Sequence, residues 1–252
     1  MKKTYLFLFR LMPLLILLLA WEFIFSSTGK GAFLYSKPTL ILASLIENFK
    51  SGLLINDLKV TGSETLFGFL LGNSLGLMLG FSLWYSKLIA YISKPYIIVI
   101  GSIPIFSLAP MTIIWFGTGM FAKVMMAAIS TFAVSVAQSY DGAQQVDESQ
   151  IKLLKTFGAS RWIIFRNIII PSSFIWVISS LRLNVSLALL GAFIGEFISS
   201  DQGLGHRILK ASSLYDTTMV FSALLCLIFL AFVFNWGLGL LEKKVSYWKN
   251  QS

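Results

Sequence analysis

An all-α, polytopic membrane protein of about six transmembrane helices is the fold class that this sequence predicts, on three observations. Hydrophobic residues make up 56% of the 252 and charged residues 12%, about half the charge of a soluble domain. Apolar runs of roughly 20 residues, enough to cross a bilayer as a helix, recur along the chain. The basic residues that give the formal net charge of +9 are spread through short connections and form no single stripe, which argues against a nucleic-acid partner.

The first run, Leu11–Phe25, follows a basic start as a signal peptide would, but Arg10 and Pro13 interrupt it and no small-residue cleavage site follows. An uncleaved first span is expected. Ser26–Lys59 is mixed in polarity and is expected to hold a short amphipathic helix after Pro38, lying at the surface. The second span, Val60–Trp84, carries Gly68, Gly72, Gly76 and Gly80 at every fourth position, a smooth ridge that lets two helices approach closely in lipid. Gly191 and Gly195 repeat it in shorter form in the fifth span. Such a ridge serves either packing within one subunit or a sliding or subunit contact. The third span, Pro95–Phe116, contains Pro104 and Pro110; the others are Ala122–Tyr140, Ser172–Ile198 and Thr217–Leu241. The expected organisation is an N-terminal anchor and outer segment over 1–59, a core over 60–241 with a polar loop at 141–171, and a tail over 242–252. The tail's "EKKVSYWKN" reads as a positive, aromatic interface anchor.

With the N-terminus inside, 12 of the 20 Lys and Arg residues fall on the cytoplasmic side and 7 outside, Lys123 among them, with Arg182 left within a span. That bias places both termini and the 141–171 loop in the cytoplasm.

The loop has its own local logic. "VDESQIKLLKTF" can form a helix starting near Asp147, with Asp147 and Glu148 at its positive N-terminal end. Val146, Leu153, Leu154 and Phe157 lean toward one side, away from Lys152 and Lys155. Gly158 suits the left-handed residue that closes a helix, Ser160 can cap a second helix, and Pro171 suits the first turn of the next span. The outcome is a helix–turn–helix bracket with a short exposed helix as its tip. On spacing alone, an amphipathic loop resting on the membrane surface fits as well.

Ionisable groups within spans mark pathways or paired structural sites. Glu64, Arg182 and Glu196 are such groups, and with Pro104 and Asn184 they are the candidates for a translocation path or gate. Arg182 and Glu196 return to nearly the same helix face but lie about 21 Å apart, so they cannot pair within one helix. A single histidine, His206, excludes a histidine metal cluster, and no phosphate loop or nucleophile–base constellation is present, so no enzyme is expected and no metal or cofactor on this chain.

Gly158, nine residues to Ile168, then Ile170-Pro171, resembles the cytoplasmic "EAA" loop of bacterial ATP-binding-cassette importer permeases, with Lys152-Leu153-Leu154 where that family has Glu-Ala-Ala. The likeness runs from about Pro38 to Trp248. It is nearest the sulfonate, taurine and nitrate type, through "IPIFSLAPMTIIWFGTG" and through "SLRLNVSLALLGAFIGEFI" followed by "GLGHRI". Glu64 stands where that group often has Arg.

The resemblance implies a type I importer permease fold in the bacterial inner membrane, as a pair of permease copies. A separate ATP-binding subunit would carry the ATP and Mg, and an extracytoplasmic substrate-binding protein would deliver a small polar or anionic solute. It further implies that Asp147, Glu148, Ile151, Lys152, Leu153, Leu154, Phe157, Gly158, Ala159, Ile168 and Pro171 form the ATPase-coupling loop. An ion-gradient-driven secondary transporter is the alternative; it leaves the bracket unexplained, and no internal repeat supports it.

Overall fold

The computed structural model describes residues 2–26 and 33–249, and no strand occurs among them. The helices are α1 (Lys2–Ser26), α2 (Pro38–Lys50), α3 (Leu53–Leu83), α4 (Lys87–Ser102), α5 (Ile105–Phe116), α6 (Met120–Gln144), α7 (Glu148–Thr156), α8 (Arg161–Ile164), α9 (Ile170–Ser172), α10 (Phe174–Ile198), α11 (Leu204–Ser213) and α12 (Thr217–Lys249). A π-helical turn, Phe165–Ile169, joins α8 to α9. Lys30 and residues 250–252, assigned above to the outer segment and the tail, lie outside the described residues.

Among these, α3, α6, α10 and the Thr217–Leu240 part of α12 are long and apolar enough to cross a membrane. A fifth span is reached if α4 and α5 count as one. The third span expected over Pro95–Phe116 comprises parts of two helices that meet at 93°. Pro104 is the cause. Proline has no N–H to continue the ladder and forces its predecessor out of the helical region, and Ile103 sits extended at φ −69, ψ 124. The first apolar run is helical over Met12–Phe25. That run is part of α1, which is helical over 25 residues.

The chain forms two compact units, Met1–Val60 with Asp201–Phe229, and Thr61–Ser200 with Leu230–Ser252. In the first, Pro38 opens α2, and the freed N-terminal N–H of Thr39 is satisfied by Glu22 of α1 at 3.0 Å. Trp21 meets Phe221 edge-on at 5.1 Å, and Ser36 hydrogen-bonds Thr218 at 2.9 Å. Asp57, fully buried, accepts from the Gly203 N–H at 3.0 Å and from Arg207 at 2.7 Å. This pair explains why α3 begins seven residues before Val60: its first polar turn is held by an ion pair and is no loop.

The second unit is organised around α6. Each glycine of the α3 ridge lies against it so closely that a Cβ would collide: 2.3 Å from Ala127 Cβ at Gly68, 2.0 Å from Thr131 Oγ1 at Gly72, 2.5 Å from Ser135 Cβ at Gly76 and 2.0 Å from Ser139 Oγ at Gly80. On the other flank, Gly191 and Gly195 of α10 approach Ser130 Oγ and Lys123 Cγ, where a Cβ would lie at 2.5 and 2.9 Å. The glycines therefore pack helices within one chain. Ala127, Ala188 and Ala192 fill the seam between α6 and α10, and Ala109 and Ile194 close over Met126. Lys123, counted above among the outer connections, is instead buried in the first turn of α6 and donates to the Thr118 carbonyl.

Gly72→Ala is expected to lower the thermal midpoint of the detergent-solubilised protein, since overpacking of this kind costs about 1–3 kcal/mol. Gly237→Ala, where no heavy atom lies within 4 Å of the added carbon, serves as the neutral control. Equal midpoints for both variants would show that the ridge carries no packing.

Candidate functional site

The bracket is built from caps. Asp147 ends the approach to α7 and accepts from the Ser149 N–H at 2.8 Å. That backbone bond holds its carboxyl below the ordinary aspartate value, reinforced by the Ser149 side chain. The folded-state value is the depressed one, so the cap is complete at neutral pH and weakens as acid carries the pH down through it. Glu148 and Lys152 pair at 3.2 Å, but both are exposed and the pair is screened.

At the far end of α7, Gly158 takes φ +78, a left-handed value that costs a side-chained residue more than glycine. The Ala159 N–H then bonds the Leu154 carbonyl at 3.0 Å, the six-residue closure of a Schellman motif. Ser160 caps α8, accepting from the Ile163 N–H at 3.4 Å. Pro171 lies in the short α9, two residues ahead of the Ser173 cap of α10.

Between these caps sits a core of Val146, Ile164, Phe165 and Ile169, against which Ile151, Leu154, Ala159 and Ile168 pack. Phe165 is its hub, with ring centroids 5.0 Å from Tyr85, 5.7 Å from Trp84, 5.8 Å from Trp162 and 6.1 Å from Phe81. The bracket is thereby fixed to the end of α3. Its apolar residues do not share one side as expected. Val146 and Leu154 turn inward, whereas Leu153 and Phe157 project outward at 58% and 78% exposure. Four residues apart, they form one apolar face at the tip.

The candidate path residues separate into different places. Arg182 of α10 pairs with Glu242 of α12, a partner the sequence reading did not identify. Glu196, fully buried, accepts from the Thr61 hydroxyl at 2.6 Å and hydrogen-bonds the Glu64 carboxyl. Lys123 supplies positive charge nearby. Asn184, fully buried, donates to Asn73 Oδ1 at 2.6 Å and to Ser180 at 3.3 Å, joining α10 to α3. Pro104 stands at the α4–α5 break. Glu64, Glu196 and Asn184 thus belong to buried polar contacts between helices, and Arg182 is half exposed. Asn73, Lys123 and Phe165 were missed. Asn73 alone had a visible signal, as a lone amide inside the glycine ridge.

Within the second unit, α3 and α10 thus pack against α6, and the capped bracket follows α6 in the chain. Residues 72–247 match the family described as binding-protein-dependent transport system inner membrane component, and the chain belongs to that family. It is similar to a probable ABC transporter permease protein of Haemophilus influenzae, at 30% identity over 86% of this chain and 89% of that one. It is also similar, at 30% identity, to the riboflavin transport system permease RibX of Chloroflexus aurantiacus, over 94% and 88% of the two chains. The fold matches a chain of the MetNI methionine ABC transporter with a TM-score of 0.68, covering 76% of this chain and 95% of that one at 17% identity. The protein is a multi-pass membrane permease component of an ABC importer.

Each variant, Glu64→Leu or Glu196→Leu, removes one buried hydrogen-bonding partner of the other carboxyl and is expected to cost about 1–3 kcal/mol. The Glu64→Leu/Glu196→Leu double variant is expected to cost less than their sum, because the contact between them is lost only once. A double-mutant cycle on thermal or denaturant unfolding measures the coupling; strict additivity would separate the two side chains energetically.

Proposed function

We propose that the bracket is the surface through which a separate ATP-binding subunit drives this permease, and that the chain works as a pair of copies lining a translocation path. The exposed apolar tip formed by Leu153 and Phe157 carries the reading. Ordinary membrane-surface loops do not need a Schellman turn, two N-caps and an aromatic hub beneath them. A part that transmits a rigid-body movement does, because a compliant one would absorb the displacement. Asp147, Glu148, Ile151 and Lys152 shape the docking helix, and Gly158 and Ala159 set its angle. Ile168 and Pro171 tie it to α10. The termini and the bracket face the cytoplasm, ATP and Mg bind on the partner, and a substrate-binding protein works on the opposite side.

The solute we propose is small and polar or anionic, in keeping with the resemblance to sulfonate, taurine and nitrate permeases. A vitamin or vitamin precursor is the second reading, favoured by the similarity to a permease named for riboflavin.

The test is purification of the tagged chain from its native membrane and identification of what accompanies it. An ATPase subunit is expected with wild type and is expected to be lost with Phe157→Asp, which charges the tip without touching the bracket core. It is also expected to be lost with Gly158→Pro, whose ring cannot adopt φ +78. Unchanged recovery with both variants, at equal permease levels, would remove the bracket from the coupling role. Absence of any ATPase after crosslinking would turn the reading toward an ion-driven carrier.

A further inference from the structure

A cavity of about 310 Å³ opens beside the bracket, and its polar lining is unusual for so apolar a chain. Lys152 and Lys155 reach it from α7, Arg161 from the first residue of α8 and Lys87 from the first residue of α4. Against these four cations stands one acid, Glu148, which is taken up by Lys152. Among the described residues, Lys87, Lys155 and Arg161 have no carboxylate within ion-pair distance. Like charges gathered around a concave surface repel one another unless an anion sits among them.

The cavity lies on a different side of α7 from the apolar tip. Glu148, Ile151, Lys152 and Lys155 line it, while Leu153 and Phe157 point elsewhere. One wall is Trp84, immediately after the apolar span α3 ends at Leu83. Tryptophan beside the end of a span marks the depth of lipid headgroups, and basic pockets at that depth on the cytoplasmic side take anionic headgroups. We propose that this cavity binds the phosphodiester of an anionic phospholipid, so that the coupling bracket carries a lipid site on the flank its partner does not cover. Lys155, Arg161 and Lys87 hold the phosphate, and Trp84 packs against the glycerol. This rests on the cytoplasmic placement of the bracket proposed above.

The experiment uses the full chain, delipidated in mild detergent and titrated with short-chain phosphatidylglycerol, short-chain phosphatidylcholine or inorganic phosphate. Bound ligand is counted by native mass spectrometry. Wild type is expected to prefer phosphatidylglycerol, and Lys155→Gln/Arg161→Gln to weaken it about thirty-fold, given the typical contribution of two basic groups near a membrane surface. Lys87→Gln, on a separate helix, is expected to weaken it about five-fold. Lys50→Gln/Lys210→Gln removes the same charge from exposed positions of the other unit and is expected to bind as wild type does. Equal weakening by both double variants would overturn the proposal in favour of diffuse charge. So would equal binding of phosphatidylcholine, or displacement of the lipid by inorganic phosphate at matched concentration. Scoring ATPase recovery on native preparations of the same variants distinguishes the two readings. Lipid selectivity without ATPase would sink only the coupling role, whereas ATPase with no loss of lipid in Lys155→Gln/Arg161→Gln would sink only the lipid site.

Discussion

The second unit depends on how closely α3 and α10 can approach α6. In lipid, the hydrophobic effect does not draw helices together, so association relies on van der Waals contact and on hydrogen bonds shielded from water. Glycine at every fourth position of α3 lets backbone meet backbone, and weak attractions then add along the whole length of the seam. The same closeness brings small hydroxyl groups into the interface. Ser135 donates to the Asn73 carbonyl at 3.3 Å, and Thr131 and Ser139 return their hydroxyls to their own helix. Any side chain on the glycine face, or one bulkier than threonine on the α6 face, would break both effects at once. Helix spacing here is therefore a sequence property of two faces, each useless without the other.

Much of this was legible because the bilayer imposes a strict code. A helix must be apolar over a set length, and the spans α3, α6, α10 and α12 were found where the apolar runs lay. The bracket was legible for a different reason. Caps are local, and Asp147, Gly158 and Ser160 announce themselves by residue type alone. What escaped was everything that joins distant parts of the chain. The start of α3 was misplaced because Asp57 looks like a loop residue until Arg207, 150 residues later, is seen beside it. Lys123 was assigned to an outer connection because a buried lysine has no sequence mark. The 93° break escaped although Pro104 was in view, since proline in an apolar run is also compatible with a mild kink.

The division of α7 into three faces was misjudged for a related reason. Periodicity reports which residues share a side, and Leu153, Leu154 and Phe157 are all apolar, so they were grouped. A short helix at the end of a membrane domain has two apolar surroundings available, its own base and a partner, and periodicity does not distinguish them. Burial does. Leu154 joins the Phe165 core while Leu153 and Phe157 are left in the open. An apolar pair left exposed on a well-capped helix is costly in water and is tolerated where something covers it in use.

These faces also explain why the departure from Glu-Ala-Ala at Lys152-Leu153-Leu154 is compatible with a stiff connector. Rigidity comes from the caps at the two ends of α7 and from the Phe165 hub, none of which involves these three side chains as anything but packing or surface. Leu154 supplies the inward contact and Leu153 is exposed, while Lys152 is exposed and pairs with Glu148. The backbone geometry of the bracket is thus set by Asp147, Gly158 and Ser160. The residues between them are free to specialise toward whatever surface the tip meets. The residues that fix the bracket thus flank the nine-residue helix, whereas the exposed Leu153 lies within it, so its surface can vary without altering the caps.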